Sequence, residues 1–253
     1  DNENILLLFL KVINNALFQT YSKLNNIYKS IMCAEMICSI LWIIYSYSYN
    51  SKLAMFLSDR AITLFIEYNL LSNNILIDLA ADFRLKKSSD YLKWYKQKHK
   101  SISNIKKSIY SLPEIIGDKI KNYKIISCPG CYPTSILLPL IPLIKKKLIR
   151  TDNIVIDSKS GFSGAGRGVH KKYKHKNLYD SLSAYGVGFH RHNSEIQQEI
   201  SKYTKKKILF TFTPHLSPMF RGILSTIYVD LNKGVSISKL ANTFKKVYSK
   251  TRF

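Results

Sequence analysis

No glycine occurs in the first 116 of the 253 residues, and the ten that the chain has begin at Gly117. A loop that brings backbone onto a phosphate needs positions that a Cβ would obstruct, so neither a GxGxxG nor a Walker loop fits that stretch. Eight of the ten glycines, and four of the seven arginines (Arg84, Arg167, Arg191 and Arg221), lie in or beside short motifs between residues 82 and 222. Elsewhere Lys, Ile, Asn, Tyr and Ser crowd every segment, the composition of a gene drifting toward A and T codons. Gly and Arg therefore mark the places where something resisted the drift.

A net charge of +23 first suggests nucleic acid as a partner. The lysines are spread along the chain instead of being gathered with aromatics on one motif, so a solvated surface is the stronger reading and no specific nucleic-acid contact is expected. The length and a hydrophobic content of 46% suit a folded soluble protein of one large or two modest domains. Four cysteines without a regular framework read as free thiols in a reducing, cytoplasmic compartment. No signal peptide is expected. The run from Ile31 to Tyr49 has the length of a membrane span, but Glu35 interrupts it and its second half is rich in Ser and Tyr, so it reads as a buried element of a globular core.

From Asn74, strand and helix signals alternate. NILIDLAADF reads as a buried strand ending at Asp82, with Arg84 just beyond and a helix from Ser89 to His99 capped by Ser88 or Ser89. Pro113 and Glu114 open a short helix, and Lys124 to Ser127 is a strand. Strands answered by helices predict a parallel α/β layout with ligands at the carboxyl ends of the strands. SCPGCYPTS, residues 127 to 135, falls there: a strand end, a Pro-Gly turn and the start of an apolar helix that Pro139 and Pro142 should kink or shorten. Cys131 then meets unpaired N–H groups and the positive end of the helix dipole, where a thiol ionises more easily and can act as a nucleophile. A small buried hydrophobe is the alternative for a lone cysteine. Cys128 and Cys131 form a CxxC, but no second CxxC or HxxxH completes a zinc site, and no metal is expected.

The strand NIVIDS (153 to 158) delivers Lys159 and Ser160 into GFSGAGRG, residues 161 to 168. Four glycines in eight residues make either a loop with exposed N–H groups, suited to phosphate or a cofactor ring, or a mobile surface loop beside HKKYKHK (170 to 176). In SAYGVGFHRHNSEIQQEI (183 to 200), Asn193 or Ser194 caps a helix with Glu195 in its first turn. His190 and His192 then precede it on an extended segment, pointing one way with Arg191 opposed. Two strands (207 to 216 and 222 to 231) follow, then an amphipathic helix from Ser236 to Lys250 with Leu240, Phe244 and Val247 on one face.

LAADFRL (79 to 85), YSLPE (110 to 114), PGCYPTS (129 to 135), DSKSGFSGAGR (157 to 167), AYGVGFHRH with SEIQQE (184 to 199) and TPHLSPMFRGIL (213 to 224) resemble, in that order, N-acetyl-γ-glutamyl-phosphate reductase. The resemblance runs from residue 75 to 253, roughly 70% of the chain. It implies an α/β fold: an eroded, doubly wound Rossmann-like dinucleotide-binding domain over residues 1–128, and an α+β catalytic and dimerisation domain of the semialdehyde dehydrogenase type over 129–253, truncated at its C-terminus. It implies NADPH-dependent reduction of N-acetyl-glutamyl 5-phosphate to the semialdehyde and phosphate, in arginine biosynthesis, through a thioester on Cys131. His190 takes the general acid/base role, with His192 the alternate. Arg84, Tyr185, Arg191 and Arg221 hold substrate, and Ser160, Gly161, Ser163, Gly164 and Gly166 lie near NADP. The partners implied are a small acyl phosphate and other copies of the chain, as dimer or tetramer, with no membrane. A reductase of a carrier-linked aminoadipyl phosphate shares these motifs. The family's N-terminal GxxGxxG has no counterpart, Cys128 stands where the family usually has Asn, and the family continues beyond residue 253. These departures support a second expectation, a degenerate non-catalytic remnant kept as a folded or partner-binding domain.

Overall fold

The computed structural model describes residues 54–56, 75–165, 180–206, 208–249 and 251. The run from Ile31 to Tyr49, Gly166, Arg167 and the basic stretch 170–176 lie outside them. Residues Ala54–Phe253 make up one compact unit. Its first sheet is built from β1 (Ala54–Phe56), β2 (Ile75–Asp78), then, after helices α1 (Ser88–Tyr95) and α2 (Ile102–Ile105), β3 (Ser108–Tyr110), and, after α3 (Pro113–Ile116), β4 (Ile125–Ser127). The strands are all parallel in the order β1-β2-β4-β3. Helix α4 (Cys131–Lys145) leads to β5 (Ile149–Ser160), β6 (Ser183–Ala184), α5 (His192–Ser201), β7 (Phe210–Leu216), β8 (Ile223–Leu231) and α6 (Ile237–Tyr248). This second sheet is mixed, in the order β6-β7-β5-β8, with β5 parallel to β7 and antiparallel to β8. The α/β fold class expected from the strand and helix signals is the one observed.

Strand β2 stops at Asp78, four residues before the expected end at Asp82. The Asp78 carboxyl accepts the N–H groups of Ala80 at 2.8 Å and Phe83 at 3.4 Å, which curls the chain out of the sheet. Helix α1 also ends early, at Tyr95, because Lys96 adopts a left-handed conformation (φ 58°) and returns its N–H to Leu92 O. Lys87 occupies the N-cap, and neither Ser88 nor Ser89 supplies a capping hydrogen bond.

The core forms where α4 meets the second sheet. Ile136, Leu137, Leu140, Ile141 and Ile144 of α4 pack with Ile154 and Ile156 of β5, Phe212 of β7 and Ile196 and Ile200 of α5. Leu240 and Phe244 of α6 close over the cluster, as the amphipathic spacing predicted. Helix α4 runs through both Pro139 and Pro142 to Lys145 instead of being cut short. Proline at 142 has no N–H for the carbonyl four residues back, which is that of Leu138. The hydroxyl of Tyr248, in α6, donates to Leu138 O at 2.5 Å and satisfies it. Burial of the apolar helix and this borrowed donor together offset the missing ladder bond.

Replacing Tyr248 by Phe leaves that carbonyl without its donor. We expect a loss of about 1–3 kcal/mol of unfolding free energy, read from urea melts.

Candidate active site

Strand β4 ends beside β2, with Ser127 in register with Asp78 and Cys128 N–H donating to Asp78 O at 2.8 Å. Pro129 and Gly130 then turn the chain, Gly130 is the N-cap of α4 and Cys131 its first residue, as the sequence predicted. The Cys131 side chain is exposed. Surrounding protein nevertheless pushes its thiol up; the N–H groups of Tyr132 and Cys131 and the charge of Arg84 act the other way without prevailing. The expected easy ionisation at the helix start is therefore corrected: partial desolvation outweighs the helix-start N–H groups, and the resting group is a thiol.

Arg191, rather than Asn193 or Ser194, is the N-cap of helix α5, which begins at His192, and its side chain makes no capping hydrogen bond. The preceding residues are a turn, not an extended segment, with Gly186 and Gly188 at φ 57° and 78°. The turn still brings the two imidazoles together, with ring centroids 4.7 Å apart. Arg191 lies instead over the Tyr95 ring, at 5.7 Å. The backbone N–H of His192 donates to Nδ1 of His190 at 3.2 Å, so a neutral His190 carries its proton on Nε2. His192 lies flat against Gly130: a Cβ at that position would come within 2.4 Å of His192 Nε2. Glycine beside Cys131 is what lets the ring approach. Tyr132, Tyr185 and Phe212 wall the pair, with ring centroids 5.5–5.6 Å from His190. The Tyr185 hydroxyl lies 2.9 Å from that of Tyr132.

Burial holds both imidazoles neutral. It lowers His190 to about 4, aided by Arg191, and His192 to about 2, aided by His190, Arg84 and Arg191.

The residue that sequence reasoning left out of the site is Glu195, which is 0% exposed. Its Oε2 accepts from Tyr110 OH and Gly130 N–H, both at 3.0 Å, and its Oε1 from Tyr95 OH at 3.3 Å and Arg84 Nη1 at 3.4 Å. Every bond is one it accepts, the pattern of a carboxylate. Burial and this carboxylate raise both tyrosine hydroxyls, which keeps them as donors. Oε1 also lies 3.7 Å from His192 Nε2, too long for a hydrogen bond. A carboxylate three residues after His192 on a helix shares its face, and that spacing was the available signal.

Of the other expected site residues, Arg84 gives Nε to Cys128 O and Nη2 to Leu79 O, each at 2.9 Å, as well as touching Glu195. Arg221 is exposed, against the Phe220 ring. Ser160 is buried, and its hydroxyl accepts from Tyr132 OH at 2.8 Å. The loop after it does not expose its N–H groups as expected. Gly161, Phe162 and Ser163 donate to the carbonyls of Gly222, Met219 and Phe220, and Gly164 to Gly161 O, because the two loops pack backbone against backbone. A Cβ on Gly161 would meet Phe220 O at 2.6 Å. Ser163 and Gly164 are exposed, and Gly166 lies outside the described residues. Among the described residues, no three His, Cys, Asp or Glu side chains gather as metal ligands, and no helix is long and apolar enough to cross a membrane.

Residues 131–253 match the family model of the semialdehyde dehydrogenase dimerisation domain. The chain is 45% identical over 178 residues to a protein of Arabidopsis thaliana named as a probable chloroplastic N-acetyl-γ-glutamyl-phosphate reductase, covering 70% of this chain and 44% of that one. It is 46% identical to the N-acetyl-γ-glutamyl-phosphate reductase of Afipia carboxidovorans, covering 70% of this chain and 51% of the relative. The chain thus spans about half the length of the curated relatives it matches. Among solved structures it is similar to aspartate semialdehyde dehydrogenase II from Vibrio cholerae, with a TM-score of 0.55 at 14% identity over 76% of this chain and 60% of that one. That likeness shows the semialdehyde dehydrogenase type of fold.

The depressed imidazoles set a sign for acid stability. Both folded-state values lie below the ordinary 6.5, so as pH falls through 6.5 the unfolded chain binds protons that the folded chain refuses. Their stabilising contribution is whole above that pH and declines on acidification to about 4, with His192 continuing lower. Asp78, raised by burial from 3.8 to about 6, acts oppositely and adds stability as pH falls between those values. We expect stability to drop from about pH 7 to about pH 4.5, and a His190→Gln, His192→Gln double variant to lose less over the same range, by urea melts at each pH.

Proposed function

We propose, from the homology of about 70% of this chain with the N-acetyl-γ-glutamyl-phosphate reductases, that it reduces N-acetyl-glutamyl 5-phosphate to the semialdehyde with release of phosphate, a step of arginine biosynthesis. The observation that carries this reading is an exposed thiol at the first residue of α4 with His192 seated on the glycine before it. As the acyl carbon of the substrate meets Cys131 Sγ, His192 takes the thiol proton, the carbon–oxygen bond to phosphate breaks and a thioester remains. The N–H groups at the start of α4 face the oxygen that gathers charge.

We assign the acid/base role to His192 in place of His190. The Nδ1 of His190 is engaged by a backbone N–H, and it is His192 that lies beside the nucleophile. Arg191 and Arg221, both exposed, are our candidates for the substrate's carboxylate and phosphate, with Tyr185 bracing the histidine pair. Arg84 serves instead to position Glu195, its guanidinium being engaged by two carbonyls and that carboxylate.

The hydride would be supplied by the reduced cofactor, NADPH, when it is bound. Ser163 and Gly164, both exposed, are our candidates to face it, with the buried Ser160 and Gly161 behind them; the N–H groups of 161–164 are taken and do not fit a phosphate cradle. We retain the division at residues 128 and 129 between a dinucleotide-binding and a catalytic, dimer-forming part, and a cytoplasmic compartment that suits the free thiols of Cys128 and Cys131. A homo-oligomer is supported by the outer face of the second sheet. Val155, Leu224 and Tyr228 are exposed there, with Val155 and Tyr228 paired across strands.

Replacing Cys131 by Ser is expected to abolish NADPH-dependent reduction of the acyl phosphate, whereas Cys128→Ser retains it, followed by NADPH absorbance. Equal activity in the Cys131 variant contradicts the assignment, and a native chain that neither reduces nor saturably binds NADPH returns the remnant reading.

A further inference from the structure

We propose that this chain also hydrolyses acyl phosphates, passing the acyl group from Cys131 to water without any nicotinamide. The inference rests on the same nucleophile as the reductase reading but needs only part of its machinery. Cys131 opens α4 directly after Gly130, the glycine on which His192 is seated, so a thiol and an imidazole able to take its proton stand side by side. Both groups come from the described residues of one compact unit.

Two features favour water as the acceptor. The Cys131 side chain is open to solvent, so a thioester formed there is too. His192, seated on the glycine beside Cys131, carries one ring nitrogen without a proton when neutral, so after giving up the thiol proton to the departing phosphate it can take another. In the first step Sγ bonds to the acyl carbon, the bond from that carbon to phosphate oxygen breaks, and phosphate leaves. In the second, water loses a proton to His192 as its oxygen bonds to the acyl carbon. The carbon–sulfur bond then breaks, and the sulfur recovers its proton from the imidazolium. The sum is acyl phosphate plus water giving carboxylic acid plus inorganic phosphate, with no change of oxidation state. The substrates that suit it are small linear acyl phosphates, since Tyr132, Tyr185 and Phe212 wall the histidine side of the site.

The test incubates the full chain with acetyl phosphate and no nucleotide, following inorganic phosphate and locating any acetyl adduct by peptide mass. Expected are phosphate release above the Cys131→Ala level, an acetyl group on Cys131, and a fall of about 100-fold in His192→Gln. Release equal to that of Cys131→Ala overturns the proposal, as does an acetyl-Cys131 that forms but does not turn over. Parallel NADPH assays with N-acetyl-glutamyl 5-phosphate separate the two readings. Hydrolysis without reduction removes the reductase reading alone, and reduction without hydrolysis removes this proposal alone.

Discussion

A carboxylate with no solvent exposure exists only where donors surround it, and Glu195 has four. Tyr95 comes from α1, Arg84 from the loop after β2, Tyr110 from β3 and Gly130 from the turn that presents Cys131. The acid itself is on α5. The requirement to satisfy one side chain therefore joins the parallel sheet to the Cys131 turn and to the histidine helix. Breaking a buried pair of this kind costs about 3–5 kcal/mol, so the arrangement is enforced and not merely permitted. With α5 held to Gly130 in this way, His192 can rest only on the glycine beside Cys131.

The electrostatics that follow differ from those of a preformed thiolate–imidazolium pair. Arg84 stands between Glu195 and any role as the counter-charge of a protonated imidazole, and it disfavours the cation on His192 directly. Desolvation keeps Cys131 protonated despite its place at a helix start. The resting site is a neutral thiol beside neutral imidazoles. Such a site spares Cys131 from casual alkylation and oxidation, since the thiolate is the reactive form.

The parts legible in the sequence were those whose causes are local. A strand, a Pro-Gly turn and an apolar run placed Cys131 at the start of α4, and the amphipathic spacing placed Leu240 and Phe244 on the core. What escaped depends on partners far along the chain. Helix α4 survives Pro142 through a hydroxyl 110 residues away. Glu195 looked like a first-turn acid because its donors come from residues 84 to 130. The glycine at 161 suggested a phosphate loop, yet the backbone of residues 220 and 221 leaves no room there for a Cβ. The histidine pair was found by composition, but its geometry comes from a turn with two left-handed glycines and not from strand alternation.

The central claim is that Cys131 rests as a thiol. Alkylation of Cys131 by iodoacetamide, followed on that residue by peptide mass from about pH 5 to about pH 10, measures its thiolate fraction directly. The account predicts a single rise in rate centred above the ordinary thiol value of 9.0. A plateau of full reactivity already reached below about pH 7 would contradict it, because it would reveal a preformed thiolate.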